Sequence, residues 1–350
     1  MHLLIWFVEN RFVMFNYNGL IEGDFIETID GLFFAVKGFR HPVDRVIAYL
    51  RYIPDPHGDR KLKKIRYRRV YDLEDTKNYL IKYYPVYLSW VDYISQTLQT
   101  VPHTRIKRIY KPREALKKIY RNKKIKLNYL TYEFISSLSN QSKVPKENIG
   151  ISGSLLIGLA TDNSDIDLIV YGEENGRKIY DGLMKMRRDS SVTCPLDFKN
   201  ATKIAFSRWG KTSIKTEKFI ENEIEKRLHG LFNEKEYFIR LINVPIFEET
   251  AKPLKLVMSR ATIKEDKYSI FTPCTYKIED IVGSGEIDLP NITELWSLRG
   301  KFTEQAKKGD VVEFKGTIEE VVINKEKKYR VALISDQDYL IPVGYLADTF

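Results

Sequence analysis

Cysteine and glutamine are nearly missing from this chain. Of its 350 residues only two are Cys, Cys194 and Cys274, and five are Gln. Two cysteines cannot make a disulfide framework, and neither stands at a metal-ligand spacing, so a reducing cytoplasm is the expected setting. The five histidines are scattered and none pairs at metal spacing, which assigns them structural roles. His229 reads as a helix cap or surface residue. Long apolar runs are absent too. The opening "MHLLIWFV" is broken by Glu9, Asn10 and Arg11. It is too short to span a bilayer and lacks a basic leader and a small-residue cleavage site, so it reads as a first buried strand. A soluble protein with no membrane partner is expected. No internal repeat and no low-complexity linker occurs.

What is present is charge. Charged residues make up 30% of the chain and apolar residues an ordinary 43%. Lys-rich, Glu-rich and Gln-poor is the drift of heat-adapted proteins. The net charge is +10 and the pI about 9.2. That excess suggests an anionic partner, nucleic acid first.

The pattern along the chain predicts an α+β protein of four regions. Residues 1–72 read as an N-terminal β domain, with "DFIETIDG" and "LFFAVKGF" joined through Asp30-Gly31, a hairpin signal. Residues 73–142 read as mostly helical and basic, with Asp72 capping "LEDTKNYLIKYY" and Pro112 opening "PREALKKIYRN". Residues 143–247 alternate strand and helix: "NIGISGS" a strand, "SLLIGLA" a short helix, "DIDLIVYG" a strand, "GRKIYDGLMKMRR" a helix, "KTSIKTEKFIENEIEKRLHGLF" a longer one, and "EYFIRLINVP" a strand. Residues 248–350 return to β-structure, with a hairpin across "NKEK" and "YLIPVG" as a third strand of a small closed module.

The chemistry concentrates in "GSLLIGLATDNSDIDLIV". A strand ends at Ser152, and Gly153-Ser154 opens a helix. Glycine lets the backbone approach a ligand closely, and the free N–H groups there, with the Ser154 hydroxyl, suit phosphate oxygens. The chain turns at "TDNS" and enters a second strand. On a strand, residues i and i+2 share a face, so Asp165 and Asp167 project together. Two such carboxylates repel unless a cation lies between them. Hard oxygen ligands suit Mg²⁺, which also binds substrate phosphates. A bare Asp-x-Asp is more often just an acidic strand start; the Gly-Ser, short helix and polar turn with Ser164 make the pattern restrictive.

This pattern resembles the signature of the polymerase β-type nucleotidyltransferase superfamily, Gly-Ser followed about ten residues later by Asp-x-Asp. The specific likeness covers about residues 146–245. More loosely, the whole chain resembles archaeal predicted nucleotidyltransferases, most visibly in "GDFIETIDGLFFAVKGFRHPVDRVIAYLRYIPDPHGDR". The resemblance implies a nucleotidyltransferase α/β core flanked by an N-terminal β-rich and helical region and a small C-terminal β-module. It implies that Gly153, Ser154 and Ser164 bind the triphosphate of an NTP such as ATP. It implies that Asp165 and Asp167 are catalytic and hold Mg²⁺ or Mn²⁺. The family carries a third carboxylate on a later strand. In "KEYFIRLINVP" its place falls on Arg240; Glu236 is the catalytic candidate on the same face, and Asp197 in "CPLDFKN" is the other.

Two basic stretches complete the reading. Residues 105–126 hold eleven Lys or Arg against one acid, Glu114, and "RKLKKIRYRR" at 60–69 holds seven. Eleven like charges repel one another without an anion nearby, so Arg105, Lys107, Arg108, Lys111, Lys117, Lys118, Arg121, Lys123 and Lys124 are candidate nucleic-acid contacts. The expected activity is metal-dependent transfer of NMP from NTP to a hydroxyl, with an RNA 3′ end ahead of DNA, a protein hydroxyl or a small molecule. The competing expectation is a catalytically impaired nucleotide- or RNA-binding protein that keeps the fold, with Arg240 in place of the third acid.

Overall fold

Asp30-Gly31 closes its hairpin as the sequence predicts. Gly31 sits at φ +79, and Phe25–Thr28 pairs antiparallel with Phe33–Val36. The structure is a computed structural model that describes residues 7–8, 11–12, 19–121, 125–189, 191–243, 249–283 and 291–346. Of the expected first strand only Phe7–Val8 falls within these, and Lys123 and Lys124 lie outside them. No helix among the described residues is long and apolar enough to cross a membrane.

The chain divides into two compact units, one built on Met1–Lys111, the other on Pro112–Asn243 with Glu249–Phe350. In the first, Arg45–Pro54 pairs with Phe33–Val36, Ile65–Arg69 and Gln96–Pro102. Ile26, Phe34, Val46, Leu50 and Val101 form its core with Leu80 of helix Leu73–Tyr83. Helix through 73–142 is therefore found only in part. Leu88–Val91, Gln96–Pro102 and Ile106–Tyr110 are strands. Ile106 and Val101 pack on that core, and tertiary burial decides over local pattern.

In the second unit, α1 (Pro112–Arg121) and α2 (Lys126–Ser142) precede β1 (Ile149–Ile151), α3 (Gly153–Ile157), β2 (Ile166–Tyr171) and α4 (Glu173–Asp189). After them come β3 (Thr193–Cys194), α5 (Phe198–Trp209), α6 (Ile220–Glu225), β4 (His229–Phe232) and β5 (Lys235–Ile242). The sheet runs β1-β2-β5-β4-β3, with β2 and β5 parallel. Strand alternation sends Leu168, Val170, Tyr237 and Ile239 to one face, all buried. There the Phe134 ring of α2 meets Phe232 and Tyr237 at 4.7 Å each. The other face carries Asp167.

The remaining strands are β6 (Glu249–Tyr268), β7 (Phe271–Thr272), β8 (Cys274–Gly283), β9 (Ile292–Ser297), β10 (Val311–Ile323), β11 (Glu326–Ala332) and β12 (Tyr339–Pro342). The order β6-β8-β9-β11-β10 closes because β10 also pairs with β6, and only β9 and β11 run parallel. This is a five-stranded Greek-key barrel of the OB type. Its interior is continuous with the core: Trp209, Phe219, Val257, Tyr276, Phe302 and Phe314 belong to one apolar cluster. Between β6 and β8, β7 adds to β5 as a parallel strand.

The long helix expected over 211–232 is not formed. A 3₁₀ turn at Thr216–Phe219 leads into α6, which stops at Glu225, and Lys226 is extended at φ −58, ψ 132. Instead of continuing a helix, the N–H groups of Arg227 and Leu228 donate to the Glu304 carboxylate of the barrel, each at 2.9 Å. Glu223 ends the helix as a buried anion. It accepts from Arg208 at 2.7 Å, from the Trp209 indole at 2.9 Å and from Lys226 at 3.1 Å. Lys226 donates on to the carbonyl of Lys301 at 2.7 Å. Burial alone would raise the Glu223 pKa, but Arg208 and Lys226 hold it down to about 2 from an ordinary 4.5. Its stabilising charge is thus present above pH 4.5 and is lost as pH falls toward 2. Removing one partner of a buried pair strands the others. Glu223→Gln is therefore expected to cost about 3–5 kcal/mol in urea unfolding at pH 7, with the deficit narrowing below pH 4.

Candidate active site

The short β1 strand sets the geometry. It lies antiparallel to β2, pairing Ile151 with Leu168, and the Ser152 N–H donates to the Asp167 carbonyl at 2.9 Å. The next residue, Gly153, turns left-handed at φ +58, which only glycine adopts freely. A Cβ there would stand 1.9 Å from Oδ2 of Asp167. The aspartate carboxylate therefore rests over the bare Cα of Gly153. One end of the Gly-Ser pair and one end of the Asp-x-Asp are thereby brought into contact.

Ser154 is 3% exposed, and its Oγ is buried with no hydrogen-bond partner. An orphaned hydroxyl at the start of the turn beside Asp167 is an acceptor-seeking donor. Ser164 is placed differently. Its Oγ accepts from the Thr161 N–H at 2.9 Å, and its own N–H donates to the Thr161 carbonyl at 2.9 Å. It braces the "TDNS" turn that delivers Asp165. Ile166 is fully buried between Asp165 and Asp167, both partly exposed.

The parallel β2–β5 register places the candidates for the third acid. Asp167 stands beside Phe238, and Ile169 beside Arg240. The ladder begins at Ile166–Tyr237; alternation carried one residue further puts Asp165 and Glu236 on the Asp167–Phe238 face. The position beside Asp167 that the sequence assigned to Arg240 is thus held by Phe238. Glu236 is engaged by His229, whose Nε2 lies 2.9 Å from its Oε1. His229 is not a helix cap or a surface residue. It is 3% exposed on β4, its ring edge against Phe238, because the helix expected there ends at Glu225. Burial, then nearby Arg208, lowers its pKa. Asp197 caps α5, accepting from the Asn200 N–H at 2.7 Å.

Phe238 was missed by motif reading, though period-2 alternation on "EYFIRLI" would have placed it. Around it gather Arg208 at 5.3 Å and Arg240 at 5.8 Å from the ring. A Cβ on Gly300 of the barrel would come within 2.8 Å of the Phe238 Cζ. The turn at Gly300 thus packs on Phe238, whose strand position is beside Asp167. Among the described residues no three His, Cys, Asp or Glu side chains are grouped to hold a metal ion.

Residues 133–228 match the family model of the nucleotidyltransferase domain. The matched span takes in Gly153, Ser154, Asp165 and Asp167 and ends before β5. An uncharacterized protein of Methanocaldococcus jannaschii is 27% identical over 331 residues, covering 88% of this chain and 93% of its own. No solved structure matches the chain.

Within the matched region Gly153 lies against Asp167, with Ser154 and Asp165 beside them in the chain and Glu236 on the neighbouring strand β5. Asp197 stands apart from them in role. Of the nine basic candidates, Arg105, Lys107, Arg108 and Lys111 belong to the first unit, whereas Lys117, Lys118 and Arg121 are on α1. The Gly153–Asp167 approach is measurable. Gly153→Ala is expected to cost about 1–2 kcal/mol for the left-handed backbone alone, and more for the clash. Asp167→Ala removes the Oδ2 and Cγ contacts and leaves only Cβ at 3.1 Å, so in that background the cost should drop by at least about 0.5 kcal/mol in a double-mutant cycle of urea unfolding.

Proposed function

We propose that this protein transfers a nucleoside monophosphate from an NTP to a hydroxyl acceptor. The acceptor class this reading favours is nucleic acid, with an RNA 3′ end first. The observation that carries it is the Asp167 carboxylate seated on Gly153 beside the orphaned Ser154 hydroxyl. A phosphate-binding turn and a carboxylate pair then share one pocket wall. The donor set suits a hard divalent ion: two carboxylates from the chain leave the remaining positions to phosphate oxygens and water. Asp165 and Asp167 would hold Mg²⁺ or Mn²⁺, which would neutralise the triphosphate and align attacking and leaving oxygens.

The chain's own residues position and screen. Gly153 and Ser154 bind the triphosphate through backbone N–H and hydroxyl groups. The acceptor oxygen forms its bond to the α-phosphorus, the bond to the β-phosphate oxygen breaks, and pyrophosphate leaves. Glu236, on the same face as Asp165, is the candidate to take the acceptor proton. The barrel's Gly300 turn over Phe238 limits water on the aspartate face. Charge supports the acceptor class. Residues 1–248 carry 42 Lys and Arg against 30 Asp and Glu, whereas residues 249–350 carry 15 against 17.

A second reading rests on Phe238 beside Asp167 and on Glu236 being held by His229. In it the domain binds NTP without turnover. Incubation with Mg²⁺, α-labelled NTPs and cellular RNA or protein fractions decides between them. Transfer of label with pyrophosphate release, lost in Asp165→Ala/Asp167→Ala, is expected. Transfer that survives the double substitution contradicts the assignment of the aspartates, and binding without release favours the second reading.

A further inference from the structure

The basic stretch 105–126 runs from the first unit into the second, and its cations differ in their partners. Three of its first four cations pair within their own unit: Lys107 with Glu27 at 2.7 Å, Lys111 with Asp24 at 2.5 Å and Arg105 with Asp30 at 3.4 Å. Some outward cations of the barrel are paired as well, Lys277 with Glu294 at 2.6 Å and Lys264 with Glu279 at 3.1 Å. The α1 cations are different. Lys117, Lys118 and Arg121 are exposed, as is Lys126 at the start of α2, and none of the four has an ion-pair partner among the described residues.

Aromatic rings stand among these charges. Tyr120 is 57% exposed and Tyr129 48%. Lys117, Tyr120 and Arg121 follow at i, i+3 and i+4, one stripe of α1. The Tyr120 ring meets Tyr132 edge-on at 5.4 Å, and Lys146 lies 4.8 Å over Tyr132. Tyr129 stands one turn earlier on the same helix. The stripe is fixed to the catalytic sheet, since Ala115 and Ile119 are buried and a Cβ on Gly150 of β1 would fall 2.7 Å from Pro112.

We infer that α1, with Tyr129 of α2, is a docking surface for single-stranded nucleic acid. Unpaired cations draw the phosphates, and the exposed tyrosines take unpaired bases by stacking, which a duplex does not offer. This rests on the nucleic-acid part of the proposed function and names where that strand is held, on the helix whose first residue, Pro112, packs against Gly150 of β1, three residues before Gly153. It gives Lys107 and Lys111 a structural role instead.

The test is fluorescence anisotropy on the full chain with labelled 20-nucleotide RNA, DNA of the same sequence, and the RNA duplex, across a salt series. The single strands are expected to bind with a log–log salt slope of about −3, from four phosphate contacts at about 0.7 each. Lys117→Gln/Lys118→Gln/Arg121→Gln should lower the slope by about 2. Tyr120→Ala/Tyr129→Ala should weaken single-strand binding about 5-fold or more with the slope kept. Lys107→Gln should change little. RNA tighter than DNA assigns the natural strand to RNA, and equal affinity leaves the surface reading the backbone and base faces common to both; either supports the docking surface. Duplex bound as tightly as single strand, or affinity indifferent to the α1 substitutions, overturns it. Asp165→Ala/Asp167→Ala should bind the strand normally, so a protein that binds through α1 yet transfers no nucleotide would contradict the catalytic proposal alone.

Discussion

The contact on which the site depends is the Asp167 carboxylate lying over the Cα of Gly153. It needs a residue without a side chain, in a left-handed conformation, at the end of a three-residue strand. The β1–β2 ladder fixes the distance, since the Ser152 N–H reaches the carbonyl of Asp167 itself. Any side chain at 153 would displace the carboxylate or the turn. The Gly-Ser turn and the aspartate strand are thus held as one unit, with the buried Ser154 hydroxyl left without a partner beside them; on the proposed function that hydroxyl meets a ligand oxygen.

A second constraint joins the barrel to this domain. Glu223, Lys226, Arg208 and the Trp209 indole form a buried ionic junction whose loose ends reach Lys301 of the barrel. Glu304 receives the N–H groups of Arg227 and Leu228 where the chain leaves α6 for β4. Burial, with nearby Arg299, brings the Lys301 pKa down to about 6. Polar geometry this specific fixes one docking arrangement more than it stabilises the fold. Its functional effect is to hold the Gly300 turn against Phe238, on the aspartate face.

The Gly-Ser and Asp-x-Asp motif was legible because each part had a local cause: a glycine where the backbone must turn, and alternation on a strand for the two aspartates. The barrel hairpin across Asn324-Lys325 and the strands on both sides of Asp30-Gly31 were legible for similar reasons. What was not legible depended on partners far along the chain. Residues 211–232 carry a helical pattern, yet Glu304 takes the N–H groups that would continue it. Leu88–Tyr110 reads as part of a helical region until its burial against the first unit's core is known. The third acid could not be placed because it depends on the β2–β5 register. A two-residue shift of register decides whether Arg240, Phe238 or Glu236 stands beside Asp167. The basic run looked uniform because the acids that pair with three of its eleven cations, Asp24, Glu27 and Asp30, precede it by some eighty residues.

The central claim is that the Gly-Ser turn and the two aspartates form one site for an NTP with its divalent ion. The direct measurement is a calorimetric titration of NTP into the protein with Mn²⁺ present and with Mn²⁺ replaced by chelator. The account predicts that NTP and Mn²⁺ each tighten the other's binding by the same factor, because both are held at one place. NTP binding of equal strength with and without the divalent ion would contradict it.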